Sequence, residues 1–354
     1  MSMSWMRTMT RPQAVGKRAT ARGPKKAGFI AVGALSFALA PGTPRAADFG
    51  ADAAGTSGAQ FLTIDVGARG SALGGAYSAV TDDAASLYWN PAGLASIPRA
   101  SVSFSNTRYV SEIQFYGGSY AQRISDTGVV GGAFRHMDAG SIAQTDINGN
   151  TQGSFRPRSS VYELGYGQSI PDLSDFEREI TMGLSGRWMR SDWVERAAAY
   201  AADIGIQAHY SHGLYPYHLG FAAQNIGPGQ KFVSEKDTLP FRTRLGGAVR
   251  FAPQLLASLE AVAPIDHQPY GALGVELNLD PSPNLKTAFR AGLDSQPLTG
   301  GLEGLRGVNF GIGLTLSGWT FDYAFVPYGI LGDTHRISIG LNLAPHGFKS
   351  YRTR

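Results

Sequence analysis

Cysteine is absent from all 354 residues, so disulfide frameworks, thiolate metal sites and cysteine nucleophiles are excluded. Charge is scarce as well, with Asp, Glu, Lys and Arg together making up 16% of the chain. No GxSxG elbow, GxxxxGK[ST] loop, HExxH pair or EF-hand loop occurs, so the common signatures of hydrolases, nucleotide-binding proteins and metal enzymes are missing. Beyond the amino-terminal region no apolar run is long enough for a membrane-crossing helix, which needs roughly 20 residues. A chain that spans a membrane without helices must close a sheet on itself, because unpaired backbone groups in lipid are costly.

What is plentiful is glycine, with 46 copies, and aromatic residues, at 11%. That profile suits a barrel with many turns and closely packed strands; a soluble sandwich or propeller shares it. The net charge of +4 misleads. Arg7, Arg11, Lys17, Arg18, Arg22, Lys25, Lys26 and Arg45 sit in the first 46 residues, which hold no acid. Without them 23 basic residues face 27 acidic ones. The basic excess belongs to the leader, and no nucleic-acid partner is expected.

Lys25-Lys26 precedes a short apolar run, AGFIAVGALSFALA, over residues 27–40. A basic flank, a short apolar stretch and small residues describe a secretory signal peptide. Pro41 opposes cleavage after Ala40, and cuts after Gly42 or Ala46 are the alternatives. The start is open between Met1 and Met3, Met6 or Met9. The expected organisation is a signal peptide at 1–46, an amino-terminal plug segment at 47–100 and a barrel at 101–354.

From Ser101 the sequence alternates with period two. Fourteen strands are predicted, near 101–109, 113–122, 127–136, 158–169, 179–191, 199–211, 216–226, 241–251, 254–263, 270–279, 285–293, 307–316, 318–327 and 334–343. An even number places both barrel ends on one side. In one segment Phe241, Thr243, Leu245, Gly247, Val249 and Phe251 oppose Arg242, Arg244, Gly246, Ala248 and Arg250. A lipid-facing Arg would cost about 2–4 kcal/mol at the bilayer midplane, so the arginine face is assigned to the lumen. Arg187, Arg242, Arg244, Arg250, Lys286 and Arg290 are expected there, opposite Glu163, Asp203, Glu260, Glu276 and Asp322. On this assignment Leu245→Arg should block assembly and Arg244→Gln should be tolerated.

The connections discriminate between a barrel and a sandwich. With the first strand running outward, the three longest predicted loops (137–157, 227–240 and 294–306) all fall on the outer side. The shortest turns, Ala252-Pro253 and Ser317-Gly318, fall on the inner side. Short periplasmic turns with longer external loops are a property of outer-membrane barrels. Asn148-Gly149 predicts a hairpin within the first long loop. Tyr109, Trp188, Trp193, Tyr210, Tyr215, Tyr217, Trp319 and Tyr328 near strand ends are assigned to the membrane interfaces. The fold class is thus an all-β, 14-stranded antiparallel transmembrane β-barrel with a small plug, in contact with outer-membrane lipid.

Residues 47–100 do not alternate. Helical stretches are predicted near 69–80 and 82–89, with Asn90 as an N-cap and Pro91 at the first helical position. Asp82 and Asp83 read as acids at a helix N-terminus. Three pieces stand in order: Gly55–Phe61 (GTSGAQF), Val66–Tyr77 (VGARGSALGGAY) and Asp82–Ala95 (DDAASLYWNPAGLA). They resemble the start of the PorV/PorQ family of outer-membrane proteins, within the FadL-like barrels. The most specific piece holds Asp82, Asp83, Tyr88, Trp89, Asn90, Pro91, Ala92, Gly93 and Leu94, and it looks like the FadL-type plug motif. The carboxyl end departs from a common barrel pattern by continuing past Leu343 to APHGFKSYRTR, with Phe348 as the one late aromatic before Tyr351.

The resemblance implies an outer-membrane location and two competing roles. PorV-like proteins serve type IX secretion, which implies secreted or secretion-system proteins as partners. Docking would involve the plug and the acidic turn with Asp172, Asp175, Glu177 and Glu179. FadL-like barrels take up hydrophobic small molecules, for which Phe232, Val233, Leu298, Leu302 and Leu305 would line an outer pocket. An enzyme is disfavoured: Ser211-His212 and Asp333-His335 are too loose for a triad. His209, His212 and His218 lack an evident further ligand. No cofactor and no metal are expected.

Overall fold

The structure, a computed structural model, describes residues 55–343 except 176, 212, 233–234, 283 and 300–303. The leader, its cleavage site, His212, Val233, Leu302 and Phe348 lie outside the described residues. No described helix is long and apolar enough to cross a membrane.

Alternation along the chain becomes a closed sheet. The wall is built from β1 (Ala100–Arg108), β2 (Gln114–Arg123), β3 (Gly128–Asp138), β6 (Arg158–Ser169), β7 (Arg178–Asp192), β8 (Arg196–Tyr210) and β9 (Tyr217–Ile226). It continues through β12 (Arg242–Ala252), β13 (Leu255–Pro264), β14 (Tyr270–Ser282), β15 (Leu285–Asp294), β16 (Val308–Leu316), β17 (Trp319–Pro327) and β18 (Asp333–Leu343). These fourteen strands pair antiparallel with their neighbours, and β1 closes on β18 from Ala100↔Leu343 to Arg108↔His335. Closure removes every sheet edge, which is what lipid demands of a β-structure. The remaining four strands form two ribbons outside the wall. One is β4 (Ile142–Thr145) with β5 (Thr151–Phe155), around the expected Asn148-Gly149 turn. The other is β10 (Gln230–Phe232) with β11 (Glu235–Asp237), which the alternation did not reveal.

The faces follow the sequence pattern. Leu245 is 61% exposed, while Arg242 and Arg244 are buried on the opposite face. Outward aromatics form cross-strand contacts: Tyr162 lies 5.2 Å from Phe134 and 5.4 Å from Trp188. Toward the inner end Tyr210 stacks on Tyr217 at 4.4 Å, and Tyr215 meets Phe251 at 5.7 Å. Such rings suit the two interfaces. Tyr109 and Tyr328 do not belong to either band. They meet each other at 5.5 Å, and Arg336, from the buried face of β18, donates to the Tyr328 hydroxyl at 3.4 Å. Trp193 sits in the β7–β8 loop and donates to buried Ser159 at 3.3 Å.

The connections are asymmetric. Residues 139–157, 227–241 and 295–307 bridge one end; 253–254 and 317–318 bridge the other. At Ser317 (φ 50°) and Gly318 (φ 90°) both residues adopt positive φ, the geometry of a tight two-residue hairpin. By this asymmetry the long-loop end is the outer one. The barrel starts at Ala100 and ends at Leu343, both on the inner side.

Candidate functional site

Residues 55–99 contribute no barrel strand, and most of 68–97 is buried. Short helices, α1 (Ala68–Ala72) and α2 (Ser86–Trp89), alternate with turns. The longer helix expected near 69–80 does not form. Gly74 and Gly75 have φ of 68° and 87°, which stops α1 after five residues and turns the chain along the wall. Asp82 and Asp83 precede α2 rather than opening its first turn. Asp82 pairs with Arg69 at 2.9 Å, and Asp83 accepts from the Ala85 N–H at 2.9 Å.

Asn90 is an N-cap, as its sequence position suggests. Its Oδ1 accepts from the Ala92 N–H at 3.1 Å, and Pro91 opens the short 3-10 helix Pro91–Ser96. Its amide also donates to the carbonyls of Ser78 (2.9 Å) and Ile206 (3.2 Å), tying two stretches of the inner segment to β8. Trp89 is fully buried and donates to the Val66 carbonyl at 3.0 Å. Its ring meets Tyr77 and Tyr88 edge-on at 5.5 and 4.9 Å, and the Arg244 guanidinium lies 4.8 Å over it. Leu94 packs with Leu87, Ile97, Ala121 and Val129.

The wall makes room for this packing by being small on its inner face. Side chains at Gly183 and Gly205 would collide with Pro91 and Asn90; one at Gly220 would stand 2.6 Å from the Ser78 carbonyl. At Gly93 a side chain would run into Thr81. The glycine abundance of the sequence is in part this: backbone approaching backbone inside a closed cylinder.

Several of the charged residues assigned to the lumen lie within reach of one another. Arg187 pairs with Glu163 (3.0 Å) and Asp203, and also donates to Asn225 at 2.7 Å. Arg244 pairs with Glu260. Arg290 reaches Glu276 at 2.7 Å and Asp322 at 2.6 Å. Arg242 instead donates to Gln224 (2.8 Å) and to the Tyr88 hydroxyl (3.1 Å). Arg250 and Lys286 depart from the expected lumen network. Both lie near the inner turns, where Arg250 donates to the Pro253 carbonyl at 3.1 Å and Lys286 is exposed.

Several of these groups hold the inner segment itself. Glu260 accepts the backbone N–H groups of Tyr77 (2.9 Å) and Ser78 (2.8 Å). Glu276 takes Arg69 in a two-bond fork at 2.9 and 3.1 Å. Gln207 donates to the Ser78 carbonyl at 2.9 Å, and Gln224 to the Tyr88 carbonyl. Arg69, Arg135, Gln207 and Gln224 were not singled out in the sequence, although the three on strands share the inward parity of the charges that were. Two small cavities beside the segment measure about 20 and 30 Å³, room for one or two waters each. One is lined by Phe61, Asp65, Arg135 and Met137, the other by Arg69, Asp83, Asp322 and Ser338. His209 and His218 face each other at 4.7 Å, and no metal-binding cluster occurs among the described residues.

A closed fourteen-stranded wall around an NPA-bearing inner segment can be compared with known proteins. Residues 50–263, more than half of the chain, match the family described as "Type IX secretion system protein PorV". The chain belongs to this family. The PorV-family barrel also shares its fold with solved structures. The toluene transporter TbuX of Ralstonia pickettii is 11% identical with a TM-score of 0.53, over 79% of this chain and 98% of that one. The P. putida toluene transporter TodX is 11% identical with a TM-score of 0.50, over 79% and 99%. A TodX deltaS2S3 mutant, described as a monoaromatic hydrocarbon channel, is 12% identical at 0.52, over 78% and 99%. Identities this low establish shared architecture. No curated protein matches the chain. Family and fold together place this PorV-family protein in the bacterial outer membrane as a barrel-type membrane protein.

Proposed function

We propose that this PorV-family barrel is a non-catalytic docking component for proteins that are secreted through a type IX-like system. The observation that carries the reading is the occupied lumen: an inner segment tied to the wall by Glu260, Glu276, Gln207 and Gln224 and packed backbone to backbone against Gly183, Gly205 and Gly220. In this reading residues 55–99 act as a plug, and the Asp82–Leu94 motif and lumen charges keep it seated. Contact with a partner then falls to the rims. The outer loops expose Val194, Ile330 and Leu331, and the inner turn exposes Asp172, Asp175 and Glu177. Glu179, by contrast, lies on β7 and accepts from Ser169 at 3.1 Å.

The alternative is uptake of hydrophobic small molecules, which needs a continuous apolar passage beside the plug. Affinity capture of the mature protein from native membranes separates the two. Stoichiometric recovery of secretion-system or exported proteins supports docking. Recovery of bound apolar molecules with no protein would replace it with transport.

A further inference from the structure

The inner segment has a direction. Its carboxyl end is fixed at the inner rim, where Arg123 donates to the Ala95 carbonyl at 2.6 Å and the Ile97 carbonyl at 3.0 Å just before β1 begins. Its amino end is fixed at the opposite rim. The Gly58 N–H donates to the Thr238 carbonyl at 2.8 Å, in the loop after β9, and Ser57 and Gln60 both donate to Asp266, in the loop after β13. Both loops are on the long-loop, outer side. Between these ties Phe61 and Leu62 fill an apolar seat formed by Met137, Val161, Met189 and Leu239 in the outer part of the lumen.

We infer that the chain enters its own barrel from outside: Gly55–Gln60 lie at the cell surface, and residues 57–62 close the outer mouth as a strap. Export delivers the chain to the inner side, where β1 starts and β18 ends. The segment must therefore cross the full thickness of the membrane within the lumen. With the segment's backbone packed directly on the wall at Gly183, Gly205 and Gly220, the closed lumen leaves no room for threading. The strap is in place before the β1–β18 seam zips, and a protein approaching the outer face meets the strap as part of that face.

The absence of cysteine makes the test direct. Single cysteines are placed at Thr56, at Ile147 on the β4–β5 ribbon and at Asp172 in an inner turn, all exposed positions. A membrane-impermeant maleimide is applied to intact cells expressing the full chain. Thr56→Cys and Ile147→Cys label on intact cells, and Asp172→Cys labels only once the outer membrane is permeabilised. Thr56→Cys behaving like Asp172→Cys overturns the inferred path. An exchange of behaviour between Ile147→Cys and Asp172→Cys overturns the barrel's orientation, and the path with it. The strap is tested in Leu62→Cys, a fully buried position. Adding Asp266→Ala removes the acceptor of two side-chain bonds and raises its labelling rate by about tenfold or more, in protein still heat-modifiable on gels. An unchanged rate in such folded protein rules out the strap.

Discussion

At the scale of single residues, sequence signals were clear where the partner is local and opaque where it is distant. The capping role of Asn90 follows from Asn-Pro at a helix start; its donation to Ile206, 116 residues away, does not. Asn90→Ala removes both, and should lower stability by about 1–3 kcal/mol, with Gln207 still satisfying the Ser78 carbonyl; a heat-modifiability midpoint reads this. Arg244 reverses an expectation drawn from the sequence. Pointing inward suggested tolerance of Gln, but Glu260 is buried beside it and also takes two backbone N–H groups from the inner segment. Arg244→Gln leaves that carboxylate without its cation and should cost about 3–5 kcal/mol. The double variant with Glu260→Gln should recover part of the loss, which a double-mutant cycle measures.

At the scale of elements, strands were far more legible than helices. A wall strand touches lipid on one side and the interior on the other, so every second residue reports its face whatever its neighbours do. The ends were less secure. β8 starts at Arg196 because Ala197, Ala198 and Ala199 continue the strand without alternating in hydrophobicity, and three alanines cannot announce a face. The inner segment offers no such contrast, since it is enclosed on all sides; Gly74 and Gly75 set its path through backbone conformation rather than through pattern. Tyr109 and Tyr328 were misplaced for a related reason. A tyrosine at a strand end fits the interface and the lumen equally well until Arg336 supplies its partner. The face assignment is tested by Leu245→Arg, which should cost about 2–4 kcal/mol near the midplane and prevent heat-modifiable protein from accumulating in the outer membrane. Equal assembly of Leu245→Arg and the parent would mean that β12 is turned the other way.

At the scale of the whole molecule, barrel and inner segment are two structures with one core. The wall supplies glycines and paired charges; the segment supplies Trp89, Tyr77 and Leu94, and neither inner surface is satisfied alone. The wall nevertheless has what it needs to persist without the segment. All fourteen seams are hydrogen-bonded, the lipid face does not involve residues 55–99, and Arg187–Glu163–Asp203 and Arg290–Glu276–Asp322 pair within the wall. Deleting 55–95 should therefore leave a barrel that is less stable yet still heat-modifiable, with water solvating a lumen rimmed by charge. Its single-channel conductance in planar bilayers should exceed that of the intact protein, whose lumen the segment occupies. If the two conduct alike while the deleted form still folds, the segment does not seal the lumen, and a solute path beside it returns as the better account of what this PorV-family barrel does.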